Sequence, residues 1–208
     1  MPLSSITDIV DPQHLLRSFG TIGLFAIIFA ESGLLIGFFL PGDSLLFTAG
    51  LFAANGHLNL AVILVGCFLA AVIGDQVGYI FGKKVGPSIF NRPNSKLFKQ
   101  EYVERADEFF EKHGAKTIVL ARFVPVVRTF APILAGVGKM QYRTFLAYNL
   151  LGGLLWAVGV TLLGFFLGKQ IGPENIDKYL LPIIAIIIVV SITPAVFEVV
   201  RHRRKAKH

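Results

Sequence analysis

Residues 115–138 read AKTIVLARFVPVVRTFAPILAGVG. The stretch is apolar, but Arg122, Pro125, Arg128 and Pro132 interrupt it. Both its flanks are basic. Upstream lie Lys83, Lys84, Arg92, Lys96, Lys99, Arg105 and Lys112, with Lys116 at the edge of the stretch itself; downstream lies Lys139-Met140-Gln141-Tyr142-Arg143. Basic flanks of membrane segments stay on the cytoplasmic side, so the stretch begins and ends on one side and is no simple span. At ~1.5 Å per residue its apolar pieces are too short for a hydrocarbon core of ~30 Å. Each proline removes a backbone donor and breaks the helix. Backbone groups freed in this way must face protein or a watery cavity, because lipid cannot satisfy them. The stretch therefore reads as a re-entrant hairpin.

The rest of the chain supports a membrane setting. Of 208 residues 54% are hydrophobic, above the ~45–50% usual for a soluble domain. The excess sits in four runs: Thr21 to Leu40, Leu58 to Gly82, Thr144 to Gly168 and Tyr179 to Val200. Several runs of this length in one short chain exclude a soluble protein with a single buried core helix. Met1 to Ser18 has Arg17 as its one basic residue and carries Asp8 and Asp11. That is not the start of a cleavable signal peptide, so the first run is expected to be retained. The single cysteine, Cys67, lies in an apolar run and reads as a packing residue.

Charge placement sets the path. The formal net charge is +7, and Arg201, Arg203, Arg204, Lys205 and Lys207 follow the last run directly. This tail places the C-terminus in the cytoplasm; a juxtamembrane position explains it without nucleic acid. Working back, Tyr179 to Val200 runs inward from an acidic outer link, Gly172 to Asp177. Thr144 to Gly168 runs outward, and Leu58 to Gly82 runs inward from the outer loop Asn55-Gly56-His57. In the basic linker, Phe98, Tyr102, Ala106, Phe109, Phe110 and His113 recur at helical spacing before Gly114. This is an amphipathic helix, lying on the inner surface or against the protein's own core.

A shift of 86 residues aligns the two halves. Ala49-Gly50 falls on Ala135-Gly136, Gly66 on Gly152 and Gly78 on Gly164. Tyr79 to Pro87 falls on Phe165 to Pro173, with Gly82-Lys83 on Gly168-Lys169. The aligned spans run in opposite directions, which makes the repeat inverted, a transporter architecture. The first half is broken like the second: Ile22 to Ala30, then Glu31-Ser32-Gly33, Leu34 to Leu40, Pro41-Gly42-Asp43, and Ser44 to Ala54. The expected fold is an all-α integral membrane protein forming one domain. Residues 15–87 form a first repeat (hairpin about 20–54, span 58–82), and 88–115 a cytoplasmic amphipathic linker. Residues 116–173 form the second repeat (hairpin 116–138, span 144–168). An extra C-terminal transmembrane helix, 179–200, and a basic cytoplasmic tail, 201–208, complete it.

Five ionisable residues lie in these segments: Glu31, Asp43, Asp75, Arg122 and Arg128. A charge at mid-membrane costs at least ~2.5–3.5 kcal/mol, so each needs a reason. Arg122 and Arg128, six residues apart on a proline-broken loop, suit a phosphate, since the guanidinium fork donates two parallel hydrogen bonds. Glu31 and Asp43 are candidates for proton coupling or charge pairing. Asp75 is a supporting residue that caps or pairs inside its own span. The structural alternative has the acids of one hairpin locking onto the arginines of the other. The two readings are compatible, because a pair can open when substrate arrives. No His, Cys or carboxylate spacing suggests a metal. His14, His57, His113, His202 and His208 fall in loops, surface helices or tails, so neither a cofactor nor an enzyme is expected.

Glu31-Ser32-Gly33-Leu34-Leu35, Phe39-Leu40-Pro41-Gly42-Asp43 and Arg122-Phe123-Val124-Pro125-Val126-Val127-Arg128 together resemble the bacterial DedA membrane proteins, within the wider SNARE-associated or VTT-domain group. The resemblance covers about residues 15 to 200. It implies an inverted-repeat fold with two re-entrant hairpins in the bacterial cytoplasmic membrane. It also implies recycling of undecaprenyl phosphate, the lipid carrier of cell-wall synthesis, with proton-dependent membrane homeostasis. In that family the hairpin acids and arginines are needed for function, and Glu31, Asp43, Arg122 and Arg128 match them. The leading expectation is a proton-coupled flippase for undecaprenyl phosphate or a related anionic lipid. Its partners would be membrane lipid and protons, with a homo-oligomer left open. The alternatives are a proton-coupled antiporter of small cations, a phospholipid scramblase, and an assembly factor for other membrane proteins.

Overall fold

The computed structural model describes residues 12–34, 40–90, 114–171 and Pro182. The helix expected over 98–113, the acidic link, the last span apart from Pro182 and the basic tail lie outside these residues. Among the described residues there are helices and no strands. They are α1 (Pro12–Gly33), α2 (Gly42–Ala54), α3 (Leu60–Phe90), α4 (Lys116–Ala121), α5 (Pro125–Val137), α6 (Tyr142–Gly153) and α7 (Gly159–Ile171). A π-helical turn, Leu154–Val158, joins α6 to α7.

Among the described residues, two elements are long and apolar enough to cross a membrane: Leu60–Val85 with 26 residues and Tyr142–Ile171 with 30. The outward face of α3 carries Val62, Val65, Leu69, Ile73, Val77 and Ile80, all exposed. Such an apolar stripe suits lipid and not water. The remaining apolar helices, Gly20–Gly33, Gly42–Ala54 and Val127–Val137, are shorter than a span; the 13 residues of α2 cover only ~20 Å. Local chemistry sets their ends. α1 is bent at Gly20, whose φ of 60° and ψ of −155° suit glycine alone. α5 begins at Pro125, where the missing N–H costs nothing. Val124 before it is extended, with φ −119° and ψ 108°, as a residue preceding proline must be. Pro132 inside α5 takes away the hydrogen bond that the Arg128 carbonyl would have accepted.

Helices α2 and α7 pack on each other, as do α3 and α5, and α1 lies on α3. The first two crossings are alike. Gly50 of α2 rests on the backbone of Thr161 and Phe165, while Gly164 of α7 rests on the Phe47 carbonyl. Gly136 of α5 rests on the backbone of Tyr79 and Lys83, while Gly82 of α3 rests on the Ile133 carbonyl. A Cβ on Gly50 would lie 2.8 Å from the Phe165 nitrogen, and one on Gly136 2.8 Å from the Lys83 nitrogen. The short helices keep the 86-residue shift (Gly50 with Gly136, Phe47 with Ile133). Their partners are instead 82 residues apart (Gly82 with Gly164, Tyr79 with Thr161). The difference is about one helical turn. Gly78 and Gly82 repeat at one-turn spacing, as do Gly164 and Gly168. Glycine thus falls on glycine in both registers, Gly82 on Gly168 or on Gly164, and the packing uses the second.

Leu24 and Ile28 of α1, Leu45, Leu46 and Ala49 of α2, Ile63, Cys67 and Ala71 of α3, and Trp156 form the larger core. A second core joins Tyr79, Ile118, Ala131, Ala135 and Phe145, with Tyr79 stacked on Phe145 at 4.4 Å between centroids. The glycine crossings admit no side chain. Gly50→Val is expected to cost about 1–3 kcal/mol by overpacking, read as a lower melting temperature in detergent. An unchanged melting temperature would contradict the crossing.

Candidate functional site

The five charges come from separate places in the chain. Glu31 sits in the last turn of α1, which is pressed against α3 where Gly33 meets the Gly74 backbone. Asp43 lies in the first turn of α2, where the helix dipole favours an anion. Arg128 stands in the first turn of α5 and Arg122 caps the end of α4. Asp75 is midway along α3. Glu31 is 0% exposed, Asp75 and Arg122 3%, and Arg128 5%. Charges buried so deeply must be paired, and they are.

Arg128 lies between two carboxylates. Its Nη1 donates to Asp43 Oδ1 at 2.8 Å, and its Nη2 donates to Glu31 Oε1. The Gly42 N–H, at the start of α2, donates to the same Glu31 Oε1 at 3.2 Å. The Trp156 indole Nε1–H donates to Asp43 Oδ1 at 2.6 Å. The Trp156 ring also lies under Arg128, 4.8 Å from ring centroid to guanidinium carbon, a distance at which cation–π attraction operates. Arg122 belongs to a second cluster. Its Nη2 donates to Asp75 Oδ2 and to Asn149 Oδ1. Asn149 in turn donates through Nδ2 to the Val72 carbonyl at 3.1 Å, tying α6 to α3. Gly152 leaves room for the Arg122 chain: a Cβ there would be 2.8 Å from Arg122 Cδ. The Arg122 guanidinium is 5.9 Å from the same Trp156 ring.

Two ion clusters thus meet at one indole. The first holds one cation and two carboxylates; the second holds one of each. Arg128 joins Glu31 and Asp43, the two acids of the first broken apolar stretch. Asp75 takes its partner from α4, outside its own span. The arginines do not share an anion here; each is engaged by its own acids, and both guanidinium groups lie over the Trp156 ring. Among the described residues, no three His, Cys, Asp or Glu side chains come together as metal ligands.

Trp156, Asn149 and the Gly42 amide were not among the residues singled out in the sequence. The first two carried a signal. Trp156 is the only tryptophan of the chain, and Asn149 is an amide inside an apolar run. The π-helical turn around Trp156 is a feature that recurs at functional sites. Nothing in the sequence marks the Gly42 amide beyond the break at Pro41.

Comparison with known proteins places this geometry. A family model described as the VTT domain matches residues 40–166. Protein DedA of Escherichia coli (strain K12) is 50% identical over 185 residues, 88% of this chain and 83% of the relative. An uncharacterised membrane protein of Mycobacterium leprae (strain TN) is 46% identical over 170 residues, 81% of this chain and 74% of the relative. The inner membrane protein YqjA of Escherichia coli (strain K12) is 37% identical over 146 residues, 70% and 66% of the two chains. No solved structure matches the chain.

Proposed function

The chain belongs to the DedA family of VTT-domain membrane proteins, and from that premise we propose that it carries undecaprenyl phosphate, or a related anionic lipid phosphate, across the bacterial cytoplasmic membrane. One observation carries the reading: a buried arginine, Arg128, at the start of a short helix and shared by two carboxylates. A guanidinium at that depth costs several kcal/mol to desolvate. Apolar packing would serve stability as well, so its retention points to a charged cargo. Its fork fits a phosphate, and the short helices α2 and α5 both begin beside it. Helices that start inside the membrane and aim their N-termini at an anion are a device of transporters.

The two alike glycine crossings support an inverted repeat, with each half a re-entrant hairpin and a span. On this reading the C-terminus is cytoplasmic, the protein is multi-pass, and it serves lipid-carrier recycling and envelope homeostasis. The two acids that share Arg128 give proton coupling a physical basis, since a proton can replace the guanidinium on one carboxylate. A small-cation antiporter is less well supported. Glu31, Asp43 and Asp75 each pair with an arginine, and a cation would have to expel it.

The test is transport by the full-length protein in liposomes. Undecaprenyl phosphate should cross faster than in protein-free vesicles, and faster in a proton gradient than without one. Phosphatidylcholine should not follow. Equal movement of both lipids would make the protein a scramblase, and movement of neither would end the lipid reading.

A further inference from the structure

A helix start leaves backbone N–H groups unpaired and is a natural anion seat. At the start of α2, a 13-residue helix, that seat is filled from inside the chain. The Gly42 N–H donates to Glu31 Oε1, and Arg128 Nη2 donates to the same oxygen. An amide at a helix start together with a guanidinium is the donor set that suits a phosphate. Glu31 fits it poorly. Its second oxygen, Oε2, is buried against the Gly42 backbone and has no hydrogen-bond partner among the described residues. The Arg128 Nε–H is likewise buried and unpaired among them. Arg128 also serves Asp43, so Glu31 and Asp43 divide its donors between them.

We propose that the Glu31 carboxylate is an internal stand-in for the substrate, occupying a phosphomonoester seat made by the Gly42 N–H and Arg128, and that the phosphate binds by displacing it. The proposal rests on the lipid-phosphate reading above and names the seat within it. No covalent bond forms. Phosphate oxygens take the hydrogen bonds from Gly42 and Arg128, and the released carboxylate takes up a proton from the aqueous side. Asp43 keeps Arg128 in place, because it is fixed independently by the Trp156 indole. The charged groups brought to Glu31 by the packed helices are Asp43 on α2, Arg128 on α5 and, beyond the Gly33–Gly74 contact, Asp75 on α3, itself held by Arg122. Glu31 is the one whose release frees both donors of the seat.

The only tryptophan of the chain, Trp156, stacks on Arg128 and bonds Asp43, so intrinsic fluorescence reads the seat directly. Full-length protein in maltoside micelles is titrated with dodecyl phosphate, inorganic phosphate and dodecanol. Dodecyl phosphate should shift the emission saturably and dodecanol should not. Glu31→Gln, which removes the competing charge, should bind about tenfold tighter. The parent should gain affinity relative to Glu31→Gln as pH falls, because acid neutralises the stand-in. A measurement without any variant checks the same point: infrared difference spectra of the parent should show a new carboxylic-acid C=O band on adding dodecyl phosphate. Saturation by inorganic phosphate in place of dodecyl phosphate would keep the seat and overturn the lipid reading. Equal affinity of the parent and Glu31→Gln at every pH, with no carboxylic band, would overturn the stand-in while leaving lipid-phosphate binding intact. Binding of neither phosphate would overturn both.

Discussion

Arg128→Ala is expected to abolish transport of lipid phosphate and to destabilise the protein by about 3–5 kcal/mol, the cost of removing one member of a buried ion cluster. Two acids would remain with no cation between them. Glu31 is wholly buried and would keep only the Gly42 amide; Asp43 would keep the indole. Arg128→Lys should recover part of the stability and little of the transport. An ammonium supplies the charge, but not the two fixed donors that reach Glu31 and Asp43 together, nor the flat face that lies on Trp156. The triple variant Arg128→Gln, Glu31→Gln, Asp43→Asn separates the two roles. With no charge left in the cluster its melting temperature should return most of the way to that of the parent, because neutral amides are far less costly to bury than an unpaired carboxylate. Transport should stay lost. Recovery of transport in that variant would show that Arg128 serves the fold alone.

Much of this site was legible in the sequence, and particular residues show why. Arg122, Arg128, Glu31 and Asp43 stood out because charge in an apolar run is costly. The breaks at Pro41 and Pro125 stood out because proline cannot continue a helix. These signals are local, and helices start at the breaks: α2 begins at Gly42, two residues before the apolar piece expected from Ser44, and α5 at Pro125, ahead of Arg128. Pairing is not local. Arg128 and Glu31 are 97 positions apart and Arg122 and Asp75 are 47 apart. No spacing rule states which acid meets which arginine. The sequence offered two arginines converging on one phosphate; packing gives each its own acids, Asp75 for Arg122 and Glu31 with Asp43 for Arg128. The repeat was legible through its glycines, but the long helices pack one turn away from the sequence register, which glycine repeated at one-turn spacing permits. The Gly42 amide was hidden for another reason: its role depends on the neighbour it meets, and glycine is not rare enough to mark a site alone.

Arg122 and Asp75 provide the second large effect. Arg122→Ala leaves Asp75 alone in the middle of α3 and strips Asn149 of its charged partner, so a loss of about 3–5 kcal/mol is expected. Asp75→Asn should be milder, because Arg122 keeps the Asn149 oxygen and can still donate to the new amide's oxygen. Combining Arg122→Ala with Asp75→Asn removes the stranded charge. The cycle of single and double variants should therefore be strongly non-additive, with a coupling of up to ~3 kcal/mol, read from detergent melting curves. Transport discriminates between a lock and a working group. If Arg122 only neutralises Asp75, the double variant regains transport along with stability. The geometry favours the other result. Arg122 sits 5.9 Å from the ring that Arg128 covers from 4.8 Å, so a phosphate held at Arg128 lies within the reach of a second cation's field in a low-dielectric site. The double variant is thus expected to fold like the parent yet bind dodecyl phosphate several-fold more weakly and carry undecaprenyl phosphate slowly. Parent-like transport by that variant would leave Arg128 as the sole phosphate-binding arginine.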